Sequence, residues 1–399
     1  MDFSYSDEQR MLSESLDKLF AGQGVAAPHD PLDAARADQL WQACAEAGLI
    51  GLTVPEDHGG LSGSAADVLV AAIEIGRHGV QAPFLSTAVA GAGALRLAGT
   101  ADQQAAHLPA LAEGKRKVAC AFEEPGARYD LADVDTRAAQ DGDGYVLNGA
   151  KSVVFGGDEA DVLIVSARAP GTDRHGTAGI SLFLVDAGTP GVSRTDYRLT
   201  DGRGATDITL ADVHVPAGAL LGGAGQGFAT MEAVTDLAAA AVCAEAIGAL
   251  EKVIELTTEY LQTRRQFGKP IGEFQVLQHN FADMMVDFEH MKSLVFEAGA
   301  LADSPDIVAR QQAVSAAKVM VAEHGRRICQ QAMQMHGGIG ITQEYQLGNF
   351  VKRVAVADFA FGDGDHHIAR YGRHMATIAA AHEAGQEAGH EAGQVAHHG

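Results

Sequence analysis

From Leu237 to Thr263 the chain holds helical periodicity without a proline, and from Phe274 onward it does so again. Between them Arg264-Arg265-Gln266-Phe267-Gly268-Lys269-Pro270 forms a short turn. Two long helices joined by a short turn are what this part of the chain reads as. The turn itself carries two arginines, a lysine and an aromatic ring. A guanidinium suits a phosphate and a ring suits a flat base. A solvated helix–helix connection would read the same way, so both meanings stay open on this segment alone.

A second stretch narrows the choice. Gln334-Met335-His336-Gly337-Gly338-Ile339-Gly340-Ile341-Thr342-Gln343-Glu344-Tyr345 follows the turn. Together, "TRRQFGKPI..FQ..Q...ADM" and "QMHGG.G.T.EY" resemble the paired signatures of the acyl-CoA dehydrogenase family. The resemblance runs from Phe3 to about Arg373. It implies a mainly α fold with a central β-domain: an N-terminal helical domain, an antiparallel β-barrel or sandwich, and a C-terminal four-helix bundle.

The texture of the chain agrees with that order. Asp7 to Leu12 starts an amphipathic helix with Ser6 as N-cap. Leu40–Ala47, Ala65–His78, Ser86–Leu97 and Ala101–Ala112 read as further helices, with Thr53 to Gly60 a turn-rich break. Trp41 sits at helical spacing with Cys44 and Leu49, as a core residue would. At Lys117 the pattern changes to short strands with Gly and Asp turns: Val118–Phe122, Gly144–Gly149, Val162–Ser166, Ile180–Val185 and Asp207–Leu210. Helical texture returns after Gly227. The expected divisions are 1–117, 118–225 and 226–381, with a disordered Gly, Glu, Gln and His tail over 382–399.

Bulk properties exclude several classes. The chain has 399 residues and a formal net charge of −23, which disfavours nucleic acid as a partner. Its four cysteines, Cys44, Cys120, Cys243 and Cys329, are scattered without a CxxC. That argues against a disulfide framework and against zinc, and fits a reducing cytoplasm. No metal site is expected, and solvation is the plainer reading of the tail histidines. No signal peptide is apparent, and no uninterrupted apolar stretch approaches a membrane span.

The resemblance implies a chemistry. Such enzymes take the α-hydrogen of an acyl-CoA as a proton and the β-hydrogen as a hydride to FAD. They need a flat flavin, donors on the thioester carbonyl, a carboxylate base and a groove for CoA. Arg264 and Phe267, with Gln266 between them, match the positions that bind the adenine dinucleotide half of a FAD held mainly by a neighbouring subunit. Gln334, Gly337 and Gly338 match positions on the same cofactor half, where glycines let backbone amides approach a pyrophosphate. A shared site implies a homo- or hetero-oligomer.

The β-domain departs from the family pattern. Glu124-Pro125-Gly126-Ala127 and Asp130 resemble its "TEPGAGSD" loop. The residues there that contact the flavin correspond to Phe122 and Glu123, with Glu123 in place of Thr, and Arg128-Tyr129 in place of Gly-Ser. Asn148 to Gly157 resembles "NGxKxWITNG", with Val153 in place of the Trp that packs on the flavin and Phe155 in place of the Thr near its N5.

The base is also displaced. Aligning Asp363-Gly364-Asp365-His366-His367-Ile368-Ala369-Arg370 on "EGTSxIQR" puts Asp363 at the catalytic Glu, while counting from Gly338 puts Phe361 there. The position that serves as base in a minority of the family is Ala238, followed by Ala239. Glu245 lies on the same helix face, roughly 10 Å further along. Asp363 and Glu245 are therefore the candidate bases. For Glu245, pairing with an arginine across the bundle is the alternative.

"EEPGARYDLADV" and "FGDGDHHIARYG" resemble the small subunit of pimeloyl-CoA dehydrogenase-type pairs. That resemblance implies a large acyl-CoA dehydrogenase subunit as partner, electron-transfer flavoprotein or a similar acceptor, and a dicarboxylic, branched or ring-bearing acyl-CoA. Three readings follow: a dehydrogenase acting at its own site, a non-catalytic subunit completing a neighbour's FAD site, and a flavoenzyme of the same fold with other chemistry, such as nitroalkane oxidation.

Overall fold

The computed structural model describes residues 5–21 and 33–376; the tail from His382 lies outside them. α1 (Asp7–Ala21) opens on a capping box. Ser6 Oγ accepts from Gln9 N, and Gln9 Oε1 from Ser6 N, both at 3.1 Å. α2 (Ala34–Glu46) and α3 (Ala65–His78) follow. The run expected over Ser86–Leu97 is a π-helical segment, Phe84–Gly91, continuing into α4 (Ala92–Ala98). α5 (Ala101–Ala112) completes this layer. Trp41 is a core residue, and its indole N–H donates to Gly114 O at 2.8 Å.

Eight strands come next: β1 (Val118–Ala121), β2 (Arg137–Asp141), β3 (Gly144–Phe155), β4 (Val162–Arg168), β5 (Ile180–Asp186), β6 (Val192–Arg198), β7 (Gly204–Pro216) and β8 (Leu220–Leu221). They form one sheet in the order β6-β7-β3-β2-β4-β5-β8, with β1 joined to β4. Most neighbours are antiparallel, as expected, but β1 and β2 both pair with β4 in parallel, Val118 opposite Val162 and Arg137 opposite Arg168. β4 is buried along its whole length, the setting in which parallel pairing is usual. β2 (RAAQD) and β6 (VSRTDYR) gave no apolar alternation because most of their residues are half-buried or exposed.

α6 (Phe228–Thr263) begins well before Leu237 and is the axis of the molecule. By length and composition its apolar window could cross a membrane, but 89% of it is buried by the protein itself. α3 lies directly against it. A Cβ on Gly76 would stand 1.9 Å from Glu245 O, and one on Gly248 1.8 Å from Ile73 O. Only glycine permits backbones to approach so closely. The hairpin β9 (Arg265–Gln266) and β10 (Lys269–Pro270) then leads into α7 (Gln275–Leu301), α8 (Ile307–Met320), α9 (Arg326–His336) and α10 (Leu347–Phe359). A last helix, α11, covers 364–376.

Candidate cofactor and catalytic site

The residues singled out in the sequence fall into two groups. The first lies on the surface. Arg264 ends α6 and the chain leaves it in extended backbone. Ile271 N donates to Arg264 O at 2.8 Å, which closes the hairpin. At its tip Phe267 takes φ +53° and is 91% exposed. Its one ring neighbour is Phe274, edge-on at 6.1 Å. Arg264, Arg265 and Gln266 are exposed as well. An aromatic residue held in left-handed backbone and in water is costly unless something covers it.

The second signature is also at the surface. Gln334 is exposed on the last turn of α9. Gly337 follows at φ +62° and ψ −141°, a conformation open to glycine alone, and a Cβ on Gly338 would meet nothing within 4 Å. Behind this turn His336 is buried and stacks on Tyr260 of α6, with ring centroids 4.5 Å apart. That stack ties the turn to α6. Exposed guanidiniums, a free ring and bare backbone are a donor set that fits the adenine dinucleotide of FAD.

The second group lines a cleft between the β-domain and the bundle. Phe122, Glu123, Val153, Phe155 and Phe361 meet there around about 40 Å³ of free volume. Phe155 stacks on Phe361 with centroids 5.5 Å apart. The free space holds a few waters, and the Phe155–Phe361 stack stands across it. Val153 takes φ +51° although it is β-branched, and its N–H donates to Asp207 Oδ1 at 2.9 Å. Arg128 and Tyr129 also take positive φ, +47° and +68°, where the family's Gly-Ser pair would do so with less strain. The framework of both loops survives as a buried ion pair. Lys151 Nζ stands 2.6 Å from Glu124 Oε1, and Glu124 also accepts from Asp135 N and Thr136 N.

The two candidate bases do not reach this cleft. Asp363 caps α11, its Oδ1 accepting from His366 N at 2.8 Å, and lines neither the cleft nor the larger cavity beside it. Phe361, the residue that counting from Gly338 selects, lines both. Glu245 is buried in an ion-pair network. Arg203 Nη1 lies 3.1 and 3.3 Å from its two oxygens, and Arg353 Nη1 also donates to it. Asp201 completes the network, 2.6 Å from Arg203 Nε. A carboxylate held by two guanidiniums has its lone pairs occupied by its own fold. The arginine pairing weighed from the sequence is the arrangement observed.

The larger cavity, of about 390 Å³, is bounded by Glu123, Tyr129, Asp236, Phe361, His366 and Arg370, among others. Asp236 is fully engaged, 2.9 Å from Arg310 Nε and 2.5 Å from Arg370 Nη1. Glu123 is the carboxylate common to cleft and cavity; burial raises its pKa to about 7, against an opposing pull from Lys318. Lys318 is a residue that sequence reasoning missed. It is wholly buried, and its ammonium donates to Ala357 O, Asp358 O and Ala360 O at 2.6, 2.9 and 2.7 Å. It thereby caps α10 and fixes the turn that carries Phe361. Desolvation lowers its pKa to about 8.

Comparison with known proteins agrees with the architecture. The sequence matches the acyl-CoA dehydrogenase N-terminal domain over residues 6–115, the middle domain over 119–213 and the C-terminal domain over 225–376. It is 32% identical to a probable acyl-CoA dehydrogenase, YngJ, of Bacillus subtilis, over 93% of this chain and 98% of that protein. Among solved structures, the butyryl-CoA dehydrogenase of Megasphaera elsdenii superposes with a TM-score of 0.83 at 25% identity, covering 94% of this chain and 100% of that one. A chain of the ChsE4–ChsE5 complex from Mycobacterium tuberculosis superposes with a TM-score of 0.84 at 25% identity, covering 94% and 99%.

Proposed function

The chain belongs to the acyl-CoA dehydrogenase family, FAD-dependent oxidoreductases acting on a CH–CH bond, and on that premise we propose that it works as one subunit of a heteromeric acyl-CoA dehydrogenase. In this reading the hairpin and the Gln334–Gly338 turn close over the dinucleotide half of a FAD whose flavin ring lies on a large partner subunit. The pair carries out α,β-dehydrogenation of an acyl-CoA and passes electrons to an electron-transfer flavoprotein or a similar acceptor.

One contrast carries the proposal: Phe267 is 91% exposed, uncovered by the described residues of its own chain, whereas Phe155 and Phe361 stack across the cleft. The carboxylates give further support, since Asp363 is spent on a helix cap and Glu245 on two arginines. A structural neighbour that is itself a complex of two named chains is consistent with it. No step of the reaction is assigned to this chain's cleft, because the Phe155–Phe361 stack closes it.

Visible spectroscopy tests the proposal. The chain purified alone should show no stoichiometric flavin band. Co-expressed with the large subunit, it should yield a complex with one FAD per pair that bleaches on anaerobic addition of an acyl-CoA panel. A stoichiometric band in the isolated chain that bleaches with acyl-CoA would overturn the proposal.

A further inference from the structure

The N-terminal layer holds a cluster that the site above does not use. Glu74 and His78 stand one turn apart on α3, so they share a face. Asp17 approaches that face from α1. His78 Nε2 lies 2.9 Å from Asp17 Oδ1 and 3.9 Å from Glu74 Oε2, and the three atoms are all within 4.8 Å of one another.

An independent observation points into the cluster. Glu74 is only 6% exposed. Its Oε1 accepts from the Ser13 hydroxyl at 2.6 Å, but its Oε2, the atom facing His78, is buried without a hydrogen-bond partner among the described residues. A buried carboxylate oxygen with no donor is expensive and calls for a water or an ion. Arg77, the nearest guanidinium on the same helix, is directed to Glu251 at 3.7 Å.

We propose that Asp17, Glu74 and His78 bind a divalent cation of the zinc type, with water completing its coordination. One imidazole and two carboxylates are a recognised donor set for such an ion. Four-coordinate bonds of about 2.0–2.1 Å place ligand atoms roughly 3.3 Å apart, and the separations of 2.9 and 3.9 Å bracket that value. Two carboxylate charges balance the ion. Ser13 holds Glu74 in orientation, as outer partners of metal ligands do. The ion would clamp α1 to α3, the helix whose Gly76 touches the backbone of α6.

Chelator-treated full-length protein would be titrated with Co²⁺ and then Zn²⁺, alongside Asp17→Asn and Glu74→Gln. The wild type should take up one more equivalent than either variant, with tetrahedral Co²⁺ absorption that Zn²⁺ displaces. Ser13→Ala should weaken that equivalent roughly 10–100-fold. The tail histidines, His382, His390, His397 and His398, are common to every protein compared, so uptake there cancels. Asp17 is 55% exposed at its side chain, so Asp17→Asn keeps the fold even if Glu74→Gln does not. Equal stoichiometry and equal spectra in wild type and Asp17→Asn would overturn the proposal.

Discussion

The hairpin at Phe267 and the cleft at Phe361 answer the same question in opposite ways. Both present an aromatic residue in left-handed backbone, at φ +53° and +60°. At the hairpin the ring stands in water beside exposed arginines. In the cleft it packs on Phe155, and the turn beneath is fixed by Lys318. The hairpin therefore adds almost nothing to the stability of its own fold, while the cleft is part of that fold. A surface that keeps its ligand chemistry without serving its own chain is best explained by a neighbour; a cleft that fills itself is explained by packing.

That contrast predicts where stability resides. Lys318→Met should have the largest effect. It strands two buried carbonyls and one part-buried carbonyl at the end of α10, each of which loses a charged donor. The expected cost is about 3–5 kcal/mol in urea unfolding. A loss under about 1 kcal/mol would mean that the turn holds its shape without the ammonium.

Glu123 should come next, and its effect depends on pH. Its folded pKa, near 7, lies above the ordinary 4.5. Below about pH 4.5 both states hold the proton. Between about 4.5 and 7 only the folded state does, so stability falls as pH rises through that window and is level above it. The full loss is bounded by roughly 3 kcal/mol. Glu123→Gln should remove the slope, so its advantage over wild type should be near zero at the acid end and largest above pH 7. Parallel stability–pH curves for the two proteins would show that Glu123 is not desolvated.

Much of the framework was legible in the residues, and the reasons are local. The hairpin declares itself because Arg264, Phe267 and Gly268 act where they stand. The capping box at Ser6 and the boundaries of α3 and α5 follow from short-range chemistry. The return of helical texture after Gly227 matches the start of α6, but the sequence reads as a long helix only from Leu237 because Phe228 to Asp236 mixes small and polar residues that the fold buries only in part. The fate of Glu245 could be posed but not decided, since Arg353 lies 108 residues away along the chain. The choice between Asp363 and Phe361 turned on backbone. With Phe361 at φ +60° and Gly362 at φ +105°, the chain aims Phe361 at the cleft and leaves Asp363 to cap the next helix. Lys318 was invisible because its partners are carbonyls, which no sequence pattern encodes.

Opening the cleft gives a smaller effect on folding and a sharper one on binding. Phe361→Ala removes a half-buried ring and its stack on Phe155, worth about 1–2 kcal/mol. If the stack is what excludes a flavin ring, Phe361→Ala combined with Phe155→Thr should let the isolated chain retain some flavin through gel filtration. A double variant as colourless as the wild type would place the obstacle elsewhere, with Glu123 or Val153 next in line.

Phe267→Ala should have the smallest effect on the isolated chain and is the most telling of the four. A ring 91% exposed, with one edge contact to Phe274, contributes little to the folded state. Its φ of +53° is no easier for alanine, so backbone strain is unchanged. The expected change in unfolding free energy is within about 0.5 kcal/mol of zero. In the assembled heteromer the same substitution should cut FAD retention at least about tenfold, which is the loss of one aromatic contact of about 1.4 kcal/mol. Stability and cofactor retention would then separate cleanly at one residue. If instead Phe267→Ala destabilises the isolated chain by more than about 1 kcal/mol, the hairpin serves its own fold, and the difference between the two regions disappears.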